Sequence, residues 1–407
     1  MKTKFLAFVL ILALTLSLTL SGCSENAVKD LSGNVEPETV VLYDDVFKAQ
    51  DYSDFAARLL SESFSAEGNT LVSPLSIVLA FAMVAEGAEG ETLEEIESVL
   101  GMDIEELRAL AMSYLKGNGQ LSASNSLWIN DIEDFTVLND FLERNAAYHS
   151  ADIFETKFSK KTIDEINNWV KDKTDGMIDK ILDNLDARSV MCLVNALLFD
   201  AEWETPYTEH NVDKGEFITE EGTTQSVTYL FNSEYYYLED DKATGFIKYY
   251  DGGDYAFAAM LPKEGVSVKE YVISLNGEKL QSLFENAEDA LVYTSIPKFE
   301  YATDLSLKSV LKDMGMEKAF DEEKADFSKL GQVQDGNIWI GDAFHSTKIS
   351  VTEQGTRAGA ATAVVMYGNG GTQNAKEVFL TRPFVYMIVD MENNIPIFMG
   401  TLMSVTD

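Results

Sequence analysis

The chain has 407 residues, 46% of them hydrophobic, and 68 acidic side chains against 31 basic ones give a formal charge of −37 at pH 7. No basic run of five or six residues interrupts that acidity, which excludes nucleic acid or heparin as an expected partner and disfavours contact with anionic membrane surfaces. Length and apolar content are those of a large folded core rather than a disordered chain.

The N-terminal 22 residues read as an export signal. Lys2 and Lys4 precede the apolar run Phe5 to Leu20, which is short for a bilayer span and has no stop-transfer charges after it. The run ends Leu20-Ser21-Gly22-Cys23, similar to the lipobox of bacterial lipoproteins. That resemblance implies a lipid on the Cys23 thiol and an exported, extracellular chain held on the outer face of a bacterial membrane through that lipid alone. The alternative is an ordinary secretion signal with a chance cysteine. Residues 23–45 are then the lipidated Cys23 and a polar, acidic tether; roughly 22 residues of coil reach about 25 Å. Residues 46–407 carry no linker and no internal repeat, and read as a single domain. Its one cysteine, Cys192, has no partner for an internal disulfide and reads as a small buried hydrophobe.

In chain order, Ser73-Pro74 offers an N-cap followed by Pro at the first helical position, and Leu75 to Ala85 is nearly all apolar, as in a fully buried helix. Thr92-Leu93-Glu94-Glu95 and Thr162-Ile163-Asp164-Glu165 have capping-box spacing. The second opens a helix with Ile163, Ile166, Trp169 and Val170 on one face, closing near Gly176. Beyond residue 190, strand signals dominate. Val190 to Phe199 and Tyr255 to Leu261 are short apolar runs; Leu291 to Ile296, Ile338 to Ile340 and Lys348 to Val351 follow. Val378 to Met391 and Ile395 to Leu402 flank a hairpin turn at Glu392-Asn393-Asn394. Helices early and strands late predict an α+β fold.

Gly355 to Gly371 breaks this pattern, being rich in Gly and Ala with no bulky core residue before Val364. So long a loop inside a compact domain is functional or disordered, and composition by itself favours a mobile linker.

Asn69-Thr70-Leu71-Val72-Ser73-Pro74-Leu75-Ser76-Ile77 and Glu353-Gln354-Gly355-Thr356, with the further segments that follow, resemble the serpin family over nearly the whole domain. Asn69 to Ile77 is similar to the segment entering the family's central helix, and Ile166-Asn167-Asn168-Trp169-Val170 with Thr174-Asp175-Gly176 to the helix crossing its main sheet. Leu193-Val194-Asn195-Ala196 with Trp203, Ile296-Pro297-Lys298-Phe299 and Ala325-Asp326-Phe327-Ser328 also match. Most specific is Glu353-Gln354-Gly355-Thr356-Arg357-Ala358-Gly359-Ala360-Ala361-Thr362, which resembles the hinge of the reactive-centre loop; Arg382 to Tyr386 resembles the C-terminal signature. Thr381 departs from the usual Asp or Asn, and Arg357 from the usual Glu. The resemblance implies about nine helices around three β-sheets with an exposed loop. It further implies a monomer without cofactor or metal that traps serine proteases by a covalent suicide mechanism. A non-inhibitory serpin serving as a binding or structural surface protein is the alternative.

In that mechanism the hinge enters the main sheet after the loop is cut, which sets a period-two test. About 15 residues at roughly 3.3 Å each would carry the protease about 50 Å. Counting from Thr356, the inward set is Thr356, Ala358, Ala360, Thr362, Val364 and Met366, all small or apolar; Arg357 points outward. No charge is buried on insertion, so the hinge passes. The resemblance assigns a "shutter" to Ser73, Ser76, Asn195 and His345. It assigns a "breach" to Trp203, with Lys298 and Glu353 as a possible ion pair. Arg357 and Lys376 lie too near the loop's ends to serve a trypsin-like target. Val364, Val365, Met366 and Tyr367 suit the apolar pockets of elastase-, chymotrypsin- or subtilisin-like enzymes. By the spacing usual in the resembled family, counting forward from Gly355 lands on Asn369 and counting back from Pro383 lands near Thr372; the two counts cannot both hold, so the resemblance implies a reactive-centre window over Met366, Tyr367, Gly368, Asn369, Gly370, Gly371 and Thr372, with the scissile bond between Tyr367 and Gln373.

An enzyme is disfavoured. The chain has three histidines, His149, His210 and His345, and no Gly-x-Ser-x-Gly elbow, His-Glu-x-x-His zinc motif or Cys-x-x-Cys. A solute-binding lipoprotein would need alternating βα units, which the order of elements does not supply.

Overall fold

The computed structural model describes residues 28–36, 48–356 and 375–405. Cys23, the export signal, most of the loop from Arg357 onward and hence Ala358 to Thr362 and the window Met366 to Thr372 lie outside the described residues.

Nine α-helices occur among the described residues: α1 (Ala49–Ser63), α2 (Pro74–Ala85), α3 (Gly90–Leu100), α4 (Ile104–Tyr114), α5 (Asn139–His149), α6 (Lys160–Lys173), α7 (Val268–Ile273), α8 (Gly277–Glu285) and α9 (Leu307–Asp313). The strands are β1 (Lys29–Asp30), β2 (Thr70–Val72), β3 (Leu121–Asn130), β4 (Phe135–Val137), β5 (Asp152–Thr156), β6 (Met191–Phe199), β7 (Ala201–Glu202), β8 (Val212–Ile218), β9 (Thr224–Glu239) and β10 (Ala243–Tyr249). They continue with β11 (Tyr255–Pro262), β12 (Glu288–Pro297), β13 (Phe299–Ser306), β14 (Gly331–Val333), β15 (Phe344–Val351), β16 (Gly355–Thr356), β17 (Lys376–Phe379), β18 (Phe384–Asp390) and β19 (Ile395–Leu402).

A nine-stranded sheet in the order β17-β12-β9-β10-β11-β18-β19-β2, with β8 on β9, carries much of the core. Two four-stranded arrays, β1-β5-β3-β6 and β13-β15-β16-β7, are joined by the single residue Asp200 between β6 and β7; β14 and β4 form a ribbon. Helix α2 lies beneath both arrays. Ser73 caps it by accepting from the Ser76 N–H, Pro74 occupies its first turn, and every helical residue but Ala80 is buried. Its all-round apolar surface is therefore satisfied by packing on every side. On the opposite side α6 lays Ile166 and Val170 over Trp128 of β3 and Val194 of β6.

Several sequence expectations change in detail. Thr92 does not cap α3, which starts after Glu89; its hydroxyl instead accepts from the Asp326 N–H, a tertiary contact that local spacing does not reveal. Helix α6 starts two residues before Thr162, with Ser159 as the N-cap and Thr162 in the third position of the capping box. Ile338–Ile340 forms no strand. The run from Val378 to Met391 divides at Leu380–Pro383 into β17 and β18, where Pro383 denies a ladder donor. Residues 28–36, expected within the tether, are instead docked. Lys29 and Asp30 pair with β5, the Leu31 N–H donates to Ile153 O at 2.8 Å, the Ile153 N–H donates to Ser32 Oγ at 2.9 Å, and Leu31 and Val35 pack against the core.

Candidate functional site: an open slot between two strand edges

Strand β6 is hydrogen-bonded along one edge to β3, and β15 along one edge to β13. Among the described residues, their facing edges meet through only two residues. Thr356 pairs with Val351 on one side and Ala201 on the other, and Gly355 pairs with Glu202. Beyond Thr356, β6 and β15 share no ladder among the described residues. A cavity of about 1050 Å³ opens there, lined by Asn195 and Leu197 of β6, His345 and Ile349 of β15, Ser76 of α2, and Thr356 at its head. The facing edges carry backbone donors and acceptors that a further strand would satisfy.

The segment expected as the hinge starts in a tightly held turn. Thr352 N–H donates to Gly355 O at 2.9 Å, and Gly355 approaches so closely that a Cβ would stand 2.0 Å from Ala201 O. Thr356 is buried, and its hydroxyl is 2.5 Å from the Tyr250 hydroxyl. The first inward residue of the alternation thus points into the core, as the period-two count requires.

Trp203 is buried and stacks on Tyr250 with centroids 4.5 Å apart. Its indole N–H donates to Thr352 O at 3.0 Å, its backbone N–H to Gln354 O at 2.8 Å, and the Tyr207 N–H to Glu353 O at 2.8 Å. Lys298 and Glu353 form the ion pair considered from the sequence, Nζ to Oε1 2.7 Å, and the Lys298 ammonium holds the Glu353 carboxyl below its ordinary range against the opposing effect of burial.

Ser73, Ser76, Asn195 and His345 come together beneath the slot. His345 Nε2 accepts from the Ser73 N–H at 3.0 Å, and Ser73 Oγ donates to Ile397 O at 2.9 Å. Ser76 Oγ donates to Asn195 Oδ1 at 2.6 Å, and the Asn195 amide donates to Asn125 Oδ1 at 2.9 Å. One polar chain therefore ties α2 to both edges of the slot. Burial pushes the His345 imidazole down to about 4, so it is neutral, and its acceptor role at Nε2 puts the proton on Nδ1. Cys192, on β6, is only partly buried and lines the cavity; burial raises its thiol to about 12, which keeps it protonated.

The sequence patterns do not single out Tyr207, Tyr250, Asn125 or the buried pair Glu234–Lys248, whose ammonium donates to Glu234 Oε1 at 3.0 Å. One signal was available for Lys248. It stands between Phe246 and Tyr250, both buried, at an inward position of the β10 alternation where an apolar residue is expected.

Comparison with known proteins agrees with this architecture. The family model Serpin (serine protease inhibitor) matches residues 50–405. The chain is similar to the thermophilic serpin tengpin in its native state, at 41% identity and a TM-score of 0.87, covering 93% of this chain and 100% of that one. Against the latent state of tengpin the TM-score is 0.79 at 38% identity, with 90% and 100% covered. Iripin-5 of Ixodes ricinus is 30% identical over 353 residues, 83% of this chain and 89% of that protein. Many members of the family inhibit serine proteases, acting as inhibitors rather than catalysts, while some members do not inhibit. By the profile match, the similar relatives and the shared fold, this chain belongs to the serpin family.

Proposed function

We propose that the chain is an inhibitory serpin that traps elastase-, chymotrypsin- or subtilisin-like serine proteases. One observation carries the reading: among the described residues the edges of β6 and β15 share no ladder beyond Thr356, which is already seated at the head of the slot. In this mechanism the protease's serine oxygen attacks the scissile carbonyl within Tyr367–Gln373. The carbon–nitrogen bond breaks, the amine leaves with a proton, and the loop is held as an ester on the protease. The freed strand then enters between β6 and β15. Each backbone hydrogen bond it gains contributes about 1 kcal/mol net, and inward side chains are buried as well. The greater similarity to the native than to the latent state of tengpin accords with a slot still open.

Glu353 to Thr362 serve as hinge, Ser73, Ser76, Asn195 and His345 as the hydrogen-bonded link between strands that part, and Trp203 with Lys298 as the point where insertion begins. The chain is exported, tethered through a lipid on Cys23, and acts as a monomer. The test is incubation with elastase, chymotrypsin and subtilisin followed by a denaturing gel. A covalent band near the summed masses is expected. A nicked chain alone, with no such band, would favour a non-inhibitory binding role. Mass spectrometry of the released C-terminal peptide identifies the bond.

A further inference from the structure

We infer that the buried pair Lys248–Glu234 is a clamp that holds the base of the hinge in register and so sets how often insertion succeeds; the consequence for inhibition rests on the function proposed above. The side chain of Lys248 is 1% exposed. Its ammonium donates to Glu234 Oε1 at 3.0 Å and Thr205 O at 3.2 Å, and lies 5.3 Å from the Trp203 ring centroid and 4.6 Å from that of Tyr207. It therefore touches three members of the segment 203–207 through a carbonyl and two ring faces. Trp203 and Tyr207 are also the residues that grip the three consecutive carbonyls of Thr352, Glu353 and Gln354.

A buried ammonium is a demanding way to fill this position. An apolar residue of similar volume would pack without desolvating two charges, and such replacements are often neutral or stabilising. What the ammonium adds is direction. A methionine can fill the volume, but it cannot simultaneously accept the two ring faces as counter-charge, satisfy Thr205 O and anchor to Glu234 on the adjacent strand β9. Segment 203–207 is thereby fixed to the nine-stranded sheet, and the hinge turn is fixed to segment 203–207. When the loop is cut, Thr356 stands at a defined position from which the following residues pair downward between β6 and β15. A hinge base free to shift delays that pairing, and delay lets the acyl bond hydrolyse before the protease is displaced.

Two variants of the full-length chain test this: Lys248→Met, and Lys248→Met with Glu234→Gln, which leaves no unpaired buried charge. Native-state hydrogen exchange at the Trp203 and Tyr207 amides should accelerate about tenfold or more in both, with amides between β13 and β15 unchanged. With a protease that the parent chain traps, the number of inhibitor molecules consumed per protease should rise severalfold, while the rate of initial attack on the loop stays the same. Unchanged exchange at those two amides, acceleration throughout the fold, or an effect confined to the single variant would overturn the clamp. So would faster exchange with an unchanged partition. If the parent traps no protease, the inhibitory reading fails instead, and exchange at Trp203 and Tyr207 still decides whether the clamp exists.

Discussion

His345 of β15 accepts the backbone N–H of Ser73, the cap of α2, at 3.0 Å, so the strand bordering the slot is fastened to the central helix through a neutral imidazole. Burial holds that imidazole at about 4, below its ordinary 6.5. The unfolded chain thus binds a proton more readily than the folded one between these values, and stability falls as pH drops from 6.5 toward 4. Urea unfolding at pH 4.5 should show a loss of about 2–3 kcal/mol from this group relative to pH 7.5. A His345→Gln variant should lose that increment of pH dependence; an unaltered profile would contradict the assignment.

Glu86 gathers Arg108 at 2.7 Å, Arg144 at 3.0 Å and His149 at 3.2 Å where α2, α4 and α5 converge. Desolvation opposes its ionisation, but the hydrogen bonds from Arg108 and His149 overcome it and hold the carboxyl at about 2. Its stabilisation is present above the ordinary carboxylate range and disappears as pH falls through about 2. Glu86→Gln removes the buried carboxylate that Arg108 and Arg144 share, leaves Arg108 with Glu105 as its remaining counter-charge, and should destabilise the fold by about 3 kcal/mol in denaturant titrations at pH 7.

In the proposed mechanism Thr356 is the first inward residue of the inserting strand, and it is already buried against Tyr250. Thr356→Arg has to place a guanidinium where Thr356 is already buried against Tyr250, which displaces the base of the loop from the head of the slot at a penalty of several kcal/mol. Cleavage of the loop should continue while the covalent band disappears from the denaturing gel. Persistence of that band would mean that insertion does not pass through this residue.

Lys298 and Glu353 form a close ion pair whose side chains are 35% and 31% exposed. Solvent screening at that exposure limits the pair to about 0–1 kcal/mol. Glu353→Gln should therefore shift Tm by no more than about 2 °C. A much larger shift would mean that the pair, rather than the buried contacts of Trp203, holds the hinge turn.

Short-range pattern makes part of this molecule legible. Ser73-Pro74 followed by an apolar run identifies α2 to the residue, because cap chemistry and all-round hydrophobicity are local properties. The alternation that turns Thr356 inward is local too. The residues beneath the slot and at the hinge were reached through likeness to a family, for nothing in the spacing of Ser73, Asn195 and His345 brings them together.

What needed the tertiary structure is whatever depends on strands distant in sequence. The slot itself is such a feature, since it is defined by how the edges of β6 and β15 stand to each other without a shared ladder among the described residues, and no single segment records that. The docking of residues 28–36 depends on a strand edge, hydrogen-bond partners and apolar contacts supplied by β5 and its surroundings, more than 100 residues away. The clamp of Lys248 follows the same logic. A lysine among apolar residues signals only an inward charge; that Glu234, Trp203 and Tyr207 surround it is decided by how β9, β10 and the segment after β7 fold together.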